Sequence, residues 1–267
     1  MSRRDRSTQM LAKVPEVTLY FWIVKLLTTA MGESTSDYLV NHMNPYLAVI
    51  LGGLGFAAAL VLQFFVRKYI AWVYWLFVVM VAIFGTMVAD VTHIVLGVPY
   101  YASTIAFAII LTVVFTTWYK VEKTLSIHSV YTFRREMFYW AAVLATFATG
   151  TATGDMTAVT LHLGYLASGI LFAGLFLLPA VGYFLFGVNE IFAFWFAYVM
   201  TRPLGASFAD WFGKPKSITG LGYGDGIVVA VLTTLIIIFV AYLTVSRRDV
   251  QQRSVFRTYK DRFTGLN

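Results

Sequence analysis

The chain has no cysteine among its 267 residues. This absence excludes disulfides, thiolate metal sites, thioether-linked haem and a cysteine nucleophile. Charged residues are also scarce, at 12% of the chain, whereas soluble globular domains average about 25%. The sequence contains no phosphate-binding glycine loop, nucleophile elbow or HExxH motif, so it lacks the common signatures of nucleotide-binding and hydrolytic enzymes.

Hydrophobic residues make up 59% of the chain and aromatic residues 17%, which is typical of a membrane protein. A helix needs about 20 mostly apolar residues to cross the hydrocarbon core, and spans should be helical because unpaired backbone groups are costly in lipid. The sequence predicts an all-α protein with one membrane domain, 1–267, in which eight transmembrane helices form four tandem hairpins. The predicted spans are 17–40, 47–66, 71–95, 102–119, 138–160, 164–186, 191–211 and 226–246.

The basic residues predict how these spans are oriented. The net charge of +7 is spread in short clusters between apolar stretches, which is typical of membrane topology and not of nucleic-acid binding. Only Lys214 and Lys216 lie on the opposite face, so both termini are predicted to be cytoplasmic, with the basic tail 247–267 on the anionic inner leaflet. The residues on the basic face are Arg3, Arg4, Arg6, Lys13, Arg67, Lys68, Lys120, Lys123, Arg134, Arg135, Arg247, Arg248, Arg253, Arg257, Lys260 and Arg262.

A three-residue signature occurs four times: a Trp, a Gly ten residues later, and an Asp five residues after the Gly. Each copy lies on the first helix of a hairpin. All four first helices should then run from inside to outside, so the four Asp residues share one depth, about 22 Å from the Trp. The copies are Trp22/Gly32/Asp37, Trp75/Gly85/Asp90, Trp140/Gly150/Asp155 and Trp195/Gly205/Asp210, within repeats at about 14–68, 69–123, 134–188 and 189–248.

The signature glycines, Gly32, Gly85, Gly150 and Gly205, have two interpretations. Small residues allow transmembrane helices to approach closely, which is the favoured reading. The alternative is that Gly loosens the helix so that carbonyl groups can face a ligand. Pro203 lies two residues before the last glycine and predicts a kink or break in the seventh helix. The four Trp residues are predicted to form an interfacial aromatic belt.

Five acids fall within predicted spans: the four signature Asp residues and Glu33. A charge near the bilayer centre costs about 2.5–3.5 kcal/mol, so these acids should face each other, water, protons or a cation. Lys25 and Arg202 also lie within spans and are predicted counter-ions; an internal salt-bridge network is the alternative explanation. Because the acids outnumber these two bases, some carboxyl groups should be protonated or bind a cation.

His93 shares a helical face with Asp90, at i and i+3, and is a candidate metal ligand or proton relay. A metal in this chain would have oxygen ligands, at most one imidazole and no thiolate. This ligand set favours Mn²⁺, Mg²⁺ or Ca²⁺ over copper. No other cofactor is predicted, because the histidines near helix ends offer no facing pair for a b-type haem.

The segments KLLTTAMGESTSD and TRPLGASFADWFGKP, together with the fourfold Trp-containing hairpin, resemble a family of bacterial integral membrane proteins. Its members consist of four tandem two-helix repeats of unknown function, each with a characteristic Trp. The resemblance covers essentially the whole chain. It implies the same eight-helix layout and a location in the bacterial inner membrane, and it brings no substrate or catalytic residue with it.

The sequence therefore predicts a transporter, not an enzyme, that exports a small divalent cation, preferably Mn²⁺, in exchange for protons. Asp37, Asp90, Asp155 and Asp210 would ring the site with help from Glu33. The alternatives are a passive cation channel with an acidic selectivity ring, an organic-cation transporter using cation–π contacts, and a membrane-embedded enzyme or assembly factor acting on lipid or quinone. Besides the lipid bilayer, the predicted partners are the cation and protons, and a homodimer is one option for assembly.

Overall fold

The sequence supplies a capping side chain at the start of four helices. Thr18, Asn44, Thr132 and Asn189 each accept hydrogen bonds from backbone N–H groups of the first helical turn. A side-chain oxygen at this position satisfies donors that have no partner within the helix. Three of these caps, Thr18, Thr132 and Asn189, start the first helix of a repeat.

The computed structural model describes residues 12–251, which form eight α-helices and no strand. The all-α prediction is therefore confirmed for this part of the chain, and each helix overlaps one predicted span. The helices are α1 (Leu19–His42), α2 (Pro45–Phe65), α3 (Ala71–Asp90), α4 (Tyr100–Glu122), α5 (Phe133–Asp155), α6 (Gly164–Phe186), α7 (Glu190–Gly213) and α8 (Asp225–Ser246).

The first helices of the four repeats form a closed ring. In this ring α1 packs against α3, α3 against α5, α5 against α7, and α7 against α1. The second helices lie outside it, and each packs mainly on the first helix of the following repeat: α2 on α3, α4 on α5, α6 on α7, and α8 back on α1. We call α1, α3, α5 and α7 the inner helices and the other four the outer helices.

This arrangement explains how hydrophobicity is divided among the helices. Five helices are long and apolar enough to cross a membrane, judged by length and composition: α2, α3, α4, α6 and α8. They include all four outer helices, and they indicate a multi-pass membrane protein. The remaining three, α1, α5 and α7, are inner helices that can carry polar side chains because the outer helices cover them.

The signature glycines lie where neighbouring inner helices touch. A Cβ atom added to any of the four would collide with the residue seven positions after the Trp of the next repeat. Such close contact requires the absence of a side chain and favours the packing interpretation. The contacts run in one direction around the ring: Gly32 on Ala82, Gly85 on Phe147, Gly150 on Arg202 and Gly205 on Thr29.

The signature Trp residues form a second set of contacts around the ring. The aromatic residue directly before each Trp packs on the Trp of the next repeat, with ring centroids 5.3–6.1 Å apart. Trp75, Trp140 and Trp195 are buried, so the prediction of an interfacial belt is wrong for these three. The indole rings gain more from stacking between inner helices than from the interface. The pairs, which we call the aromatic layer, are Phe21/Trp75, Tyr74/Trp140, Tyr139/Trp195 and Phe194/Trp22.

Helix α7 continues through Pro203 without the break that the sequence predicts. Gly150 and Gly154 of α5 pack directly against this part of α7. The hydroxyl of Thr201 donates to the carbonyl oxygen of Tyr198 at 2.6 Å. Neighbouring helices and hydroxyl side chains of this kind allow Pro to remain inside membrane helices.

The described parts of the termini meet at one end of the ring, which we call the basic end. Glu16 N–H donates to the carbonyl of Asp249 at 2.8 Å, and Lys13 N–H donates to that of Val130 at 3.1 Å. Tyr69 N–H likewise bonds the carbonyl of Ala12 at 3.0 Å. Most of the basic tail, 252–267, and the predicted basic-face residues Arg3, Arg4, Arg6, Arg253, Arg257, Lys260 and Arg262 lie outside the described residues.

Asp249 is expected to make the stability of the basic end depend on pH. It is buried and accepts a hydrogen bond from the Tyr69 hydroxyl, while its other carboxylate oxygen has no partner. Burial raises the pKa of Asp249, and the Tyr69 bond opposes this only in part. The folded state thus binds the proton more tightly than the unfolded state, and stability should fall as the pH rises through the folded-state pKa.

We therefore expect Asp249→Asn to remove this pH dependence. The variant should melt at a higher temperature than the parent protein at pH 8, and the difference should shrink as the pH falls toward the ordinary pKa of Asp, about 3.9. Thermal unfolding in detergent between pH 4 and pH 8 measures both. An unchanged pH profile in the variant would show that Asp249 is not the titrating group.

Candidate cation site at the acid end of the ring

Positions spaced by four residues stack on one face of each inner helix. The residues three, seven and eleven positions after the signature Trp are buried in all four repeats. The fifteenth residues are the signature Asp residues, and three of these, Asp37, Asp90 and Asp155, are partly exposed. Partial exposure therefore begins at the Asp layer, and the layer below it is buried in all four repeats. We call this end of the ring the acid end.

Three acids come together at the acid end. Carboxylate oxygens of Glu33, Asp37 and Asp210 all lie within 4.8 Å of one another. We call these three residues the three-carboxylate cluster; they come from α1 and α7, where the fourth repeat closes on the first. Because Mg²⁺ and Ca²⁺ bind oxygen at about 2.0–2.6 Å, one divalent ion could contact all three.

The other two signature acids lie beside this cluster. Asp90 accepts a hydrogen bond from the Ser36 hydroxyl at 3.2 Å, and Asp155 is within electrostatic reach of Asp90 and Glu33. Both residues end their α-helices and are followed at once by a π-helical turn, Val91–Val95 and Met156–Thr160. Such turns are frequent at functional sites. The four signature acids thus lie at one end of the inner-helix ring, two in the cluster and two beside it, and their role as a ring that binds a cation stays a prediction.

Arg202 closes the bottom of the acid end. Its guanidinium forms an ion pair with Glu33, donates to the Thr86 hydroxyl, and donates to the carbonyl of Thr29 at 3.4 Å. The side chain is only 1% exposed. Arg202 therefore joins α7 to both α1 and α3. As a counter-ion it pairs with Glu33 and not with a signature Asp.

Lys25 does not pair with an acid, contrary to its predicted role as a counter-ion. Its ammonium nitrogen lies 3.9 Å from the ring centroid of Phe147 and 4.1 Å from that of Tyr198, and it has no hydrogen-bond partner. Lys25 is two helical turns below Glu33, about 12 Å along α1, and Arg202 already occupies that carboxylate. Cation–π contacts replace the expected ion pair.

Lys214, which the sequence analysis placed on the face opposite the basic residues, lies beside the three-carboxylate cluster. Its ammonium lies 2.6 Å from Asp37 Oδ2 and 4.0 Å from Asp210 Oδ1. Burial lowers the pKa of Lys214, but Asp37 and Asp210 raise it by more, and the net pKa is above its ordinary value. The i, i+4 spacing of Asp210 and Lys214 is a signal that could have identified this pair.

His93 lies apart from the three-carboxylate cluster. Its ring centroid is 4.1 Å from that of Tyr100, and its Nδ1 is 3.1 Å from the carbonyl oxygen of Val98. The π-helical turn after Asp90 widens the backbone at this point, so the i, i+3 relation of an α-helix does not hold. His93 is therefore not a member of the three-carboxylate cluster, and its role as a ligand or proton relay stays a prediction.

The tyrosines that begin two outer helices were also missed. Tyr100 at the start of α4 is within electrostatic reach of Asp155 and Asp90, and Tyr165 at the start of α6 is within reach of Asp210. Both tyrosines therefore begin outer helices at the end of the ring where the signature acids lie. A Tyr among the first two residues of a helix, after a short loop, was the available signal.

A cavity of about 490 Å³ lies at the basic end, between the ends of α1, α6 and α7. Its lining is largely apolar and includes Trp22, Pro179 and Phe194, with Glu16 and Glu190 among its few charged side chains. None of its lining residues is a signature acid. This cavity is therefore separate from the signature acids at the acid end.

One family profile matches the chain four times in succession, over 20–69, 73–124, 138–188 and 193–249. Its description is Repeat of Unknown Function (DUF347). The four matches agree with the fourfold Trp-containing hairpin and confirm the resemblance stated from the sequence. Searches of curated proteins and of solved structures gave no match.

Proposed function

The chain belongs to the DUF347 repeat family, and we propose that its four repeats jointly form one cation site in an eight-span membrane transporter. All eight helices would cross a bacterial inner membrane, with both termini in the cytoplasm. The meeting of the described terminal segments and basic loops at the basic end supports this orientation, because basic loops favour the cytoplasmic side. The acid end would then face outward.

The proposed activity is proton-coupled export of a divalent cation, with Mn²⁺ preferred. The observation that carries this proposal is the three-carboxylate cluster, whose oxygens lie within 4.8 Å of one another and in which Asp37 is partly exposed. The five acids of the predicted spans lie at this end together with Asp225, and two cationic side chains, Arg202 and Lys214, pair with acids there. A divalent cation and protons would neutralise the excess. Hard oxygen ligands suit Mn²⁺, Mg²⁺ or Ca²⁺.

A barrier below the site favours transport by alternating access over a passive channel. Arg202 and Glu33 form a buried ion pair under the Asp layer. Beneath them the aromatic layer forms one contiguous buried cluster, in which the hydroxyls of Tyr74 and Tyr139 are hydrogen-bonded. A conducting pore would need both barriers open together.

The organic-cation alternative has one specific observation in its favour. The ammonium of Lys25 lies over two aromatic rings inside the inner-helix ring, so this interior can hold an amine without a carboxylate. Transport of a quaternary ammonium in place of Mn²⁺ would support that reading.

The test is flux in liposomes that contain the purified full chain, with a metal-sensitive dye and a pH-sensitive dye inside. We expect Mn²⁺ entry with opposing proton movement. Asp37→Asn and Asp210→Asn should each slow Mn²⁺ entry at least ~10-fold, the loss typical even for groups that only support metal ligands. Glu190→Gln, at the basic end, is the control and should transport normally.

Three outcomes would count against the proposal. Normal flux in both Asp90→Asn and Asp155→Asn would remove these acids from the site and reduce the ring to the three-carboxylate cluster. Absence of flux for Mn²⁺, Mg²⁺ and Ca²⁺ in the parent protein would overturn the metal assignment. Ionic currents without proton movement would indicate a channel.

A further inference from the structure

Lys214 places a cation of the protein itself on the three-carboxylate cluster. Its ammonium contacts Asp37 at 2.6 Å and approaches Asp210 at 4.0 Å, and the side chain is 20% exposed. The groups that face it are Asp37 on α1, Asp210 on α7 and Asp225 at the start of α8. No other cationic side chain among residues 12–251 pairs with Asp37 or Asp210.

The loop that carries Lys214 is held firmly against the end of α7. Backbone N–H groups of 221–224 donate to carbonyls of 211–214, with N···O distances of 2.6–3.1 Å. Gly220 packs so closely on the Lys214 backbone that a Cβ atom could not fit, and Gly213 similarly abuts Asp225. The backbone of Lys214 is therefore fixed, while its flexible, partly exposed side chain can leave the cluster without moving the loop.

We propose that Lys214 is a built-in competitor for the transported cation, occupying the cluster when the site is empty and swinging away when the cation binds. This inference rests on the proposed function and adds to it a device that limits affinity. A cation must displace the ammonium to bind, and the returning ammonium helps to expel it. An exporter that releases its cation outward gains from such a device, because tight binding would slow release.

A purely structural ion pair makes the opposite prediction. If Lys214 served only to hold the loop on α1, its removal would loosen the site and weaken cation binding. If it competes, its removal leaves the carboxylates free and strengthens binding. The direction of the affinity change therefore separates the two roles.

The experiment is Mn²⁺ binding by the purified full chain in detergent, followed by electron paramagnetic resonance of the free ion. Lys214→Gln should lower the Kd at least ~10-fold. This factor is about the contribution of one charge-assisted hydrogen bond, here the bond from the Lys214 ammonium that competes with Mn²⁺ for the cluster. Lys214→Arg should keep the parent Kd. Lys216→Gln, an exposed lysine in the same loop, is the matched control and should also leave the Kd unchanged.

In liposomes, Lys214→Gln should lower both KM and kcat for Mn²⁺, because the ion binds more tightly and leaves more slowly. An equal or weaker affinity in Lys214→Gln, with a parent protein that binds Mn²⁺, overturns this inference and leaves the proposed function standing. Absence of Mn²⁺ binding in both the parent protein and Lys214→Gln overturns the inference and the metal site together.

Discussion

Replacing Arg202 with methionine is expected to destabilise the protein by about 3–5 kcal/mol, the usual cost of removing one partner of a buried ion pair. Glu33 is buried and would lose the guanidinium that neutralises it, and the Thr86 hydroxyl would lose its donor. These contacts join α7 to α1 and α3. Their loss should therefore weaken the packing that closes the inner-helix ring.

Denaturant unfolding in detergent micelles measures this change. The double variant Glu33→Gln/Arg202→Met should recover most of the lost stability, because it removes both charges. Arg248→Met is the control, since Arg248 is exposed at the basic end and should change stability by less than about 0.5 kcal/mol. A loss below about 1 kcal/mol in Arg202→Met, or no recovery in the double variant, would contradict the buried pair.

Gly205→Ala is expected to destabilise the protein by about 1–3 kcal/mol, the range for overpacking a tight core. A Cβ atom at this position would collide with the Thr29 side chain and lie 2.9 Å from the backbone nitrogen of Ala30. This contact closes the fourth repeat on the first, so the methyl group would force α7 away from α1. The three-carboxylate cluster spans the same two helices and should widen.

A matched glycine tests whether this cost comes from packing. Gly174 lies inside α6 with nothing within 4 Å of an added Cβ atom. Gly174→Ala should therefore raise stability by up to about 1 kcal/mol through helix propensity alone. Unfolding midpoints for the two variants should move in opposite directions. A loss in both, or a gain in both, would show that ring contact is not what distinguishes Gly205.

The strict Trp–Gly–Asp spacing predicted much of the fold. It assigned one hairpin to each repeat and placed the four Asp residues at one end. Helical geometry on a constant spacing determines both features, because equal rise and rotation bring equivalent residues to equivalent positions. The close helix contacts at Gly32, Gly85, Gly150 and Gly205 follow the favoured interpretation of small residues.

The sequence pattern did not predict which helices pack against each other. An apolar helix face does not identify its neighbour, so the placement of α2 on α3 and of α8 on α1 had no local signal. The burial of Trp75 was missed for a related reason. An indole ring suits both an interface and a core, and only the adjacent Phe21 from another repeat decides between them.

The predictions that failed at the site concern two basic side chains, Lys25 and Lys214. Lys25 was expected to meet an acid because an isolated buried ammonium is costly, but the rings of Phe147 and Tyr198 surround it. Lys214 was assigned to a loop because hydropathy ends the seventh span before it. The loop folds so that the Lys214 ammonium lies beside Asp37. A pattern of apolar residues contains no information about this contact.

The most direct test of the central claim is the position of a bound ion. Crystals of the full chain soaked with Mn²⁺ and measured at the manganese absorption edge would give an anomalous difference map. The predicted result is a peak at the acid end, about 2.0–2.6 Å from carboxylate oxygens of Glu33, Asp37 and Asp210, with the Lys214 ammonium displaced. A peak elsewhere in the molecule, with Lys214 still on Asp37, would contradict the proposed cation site.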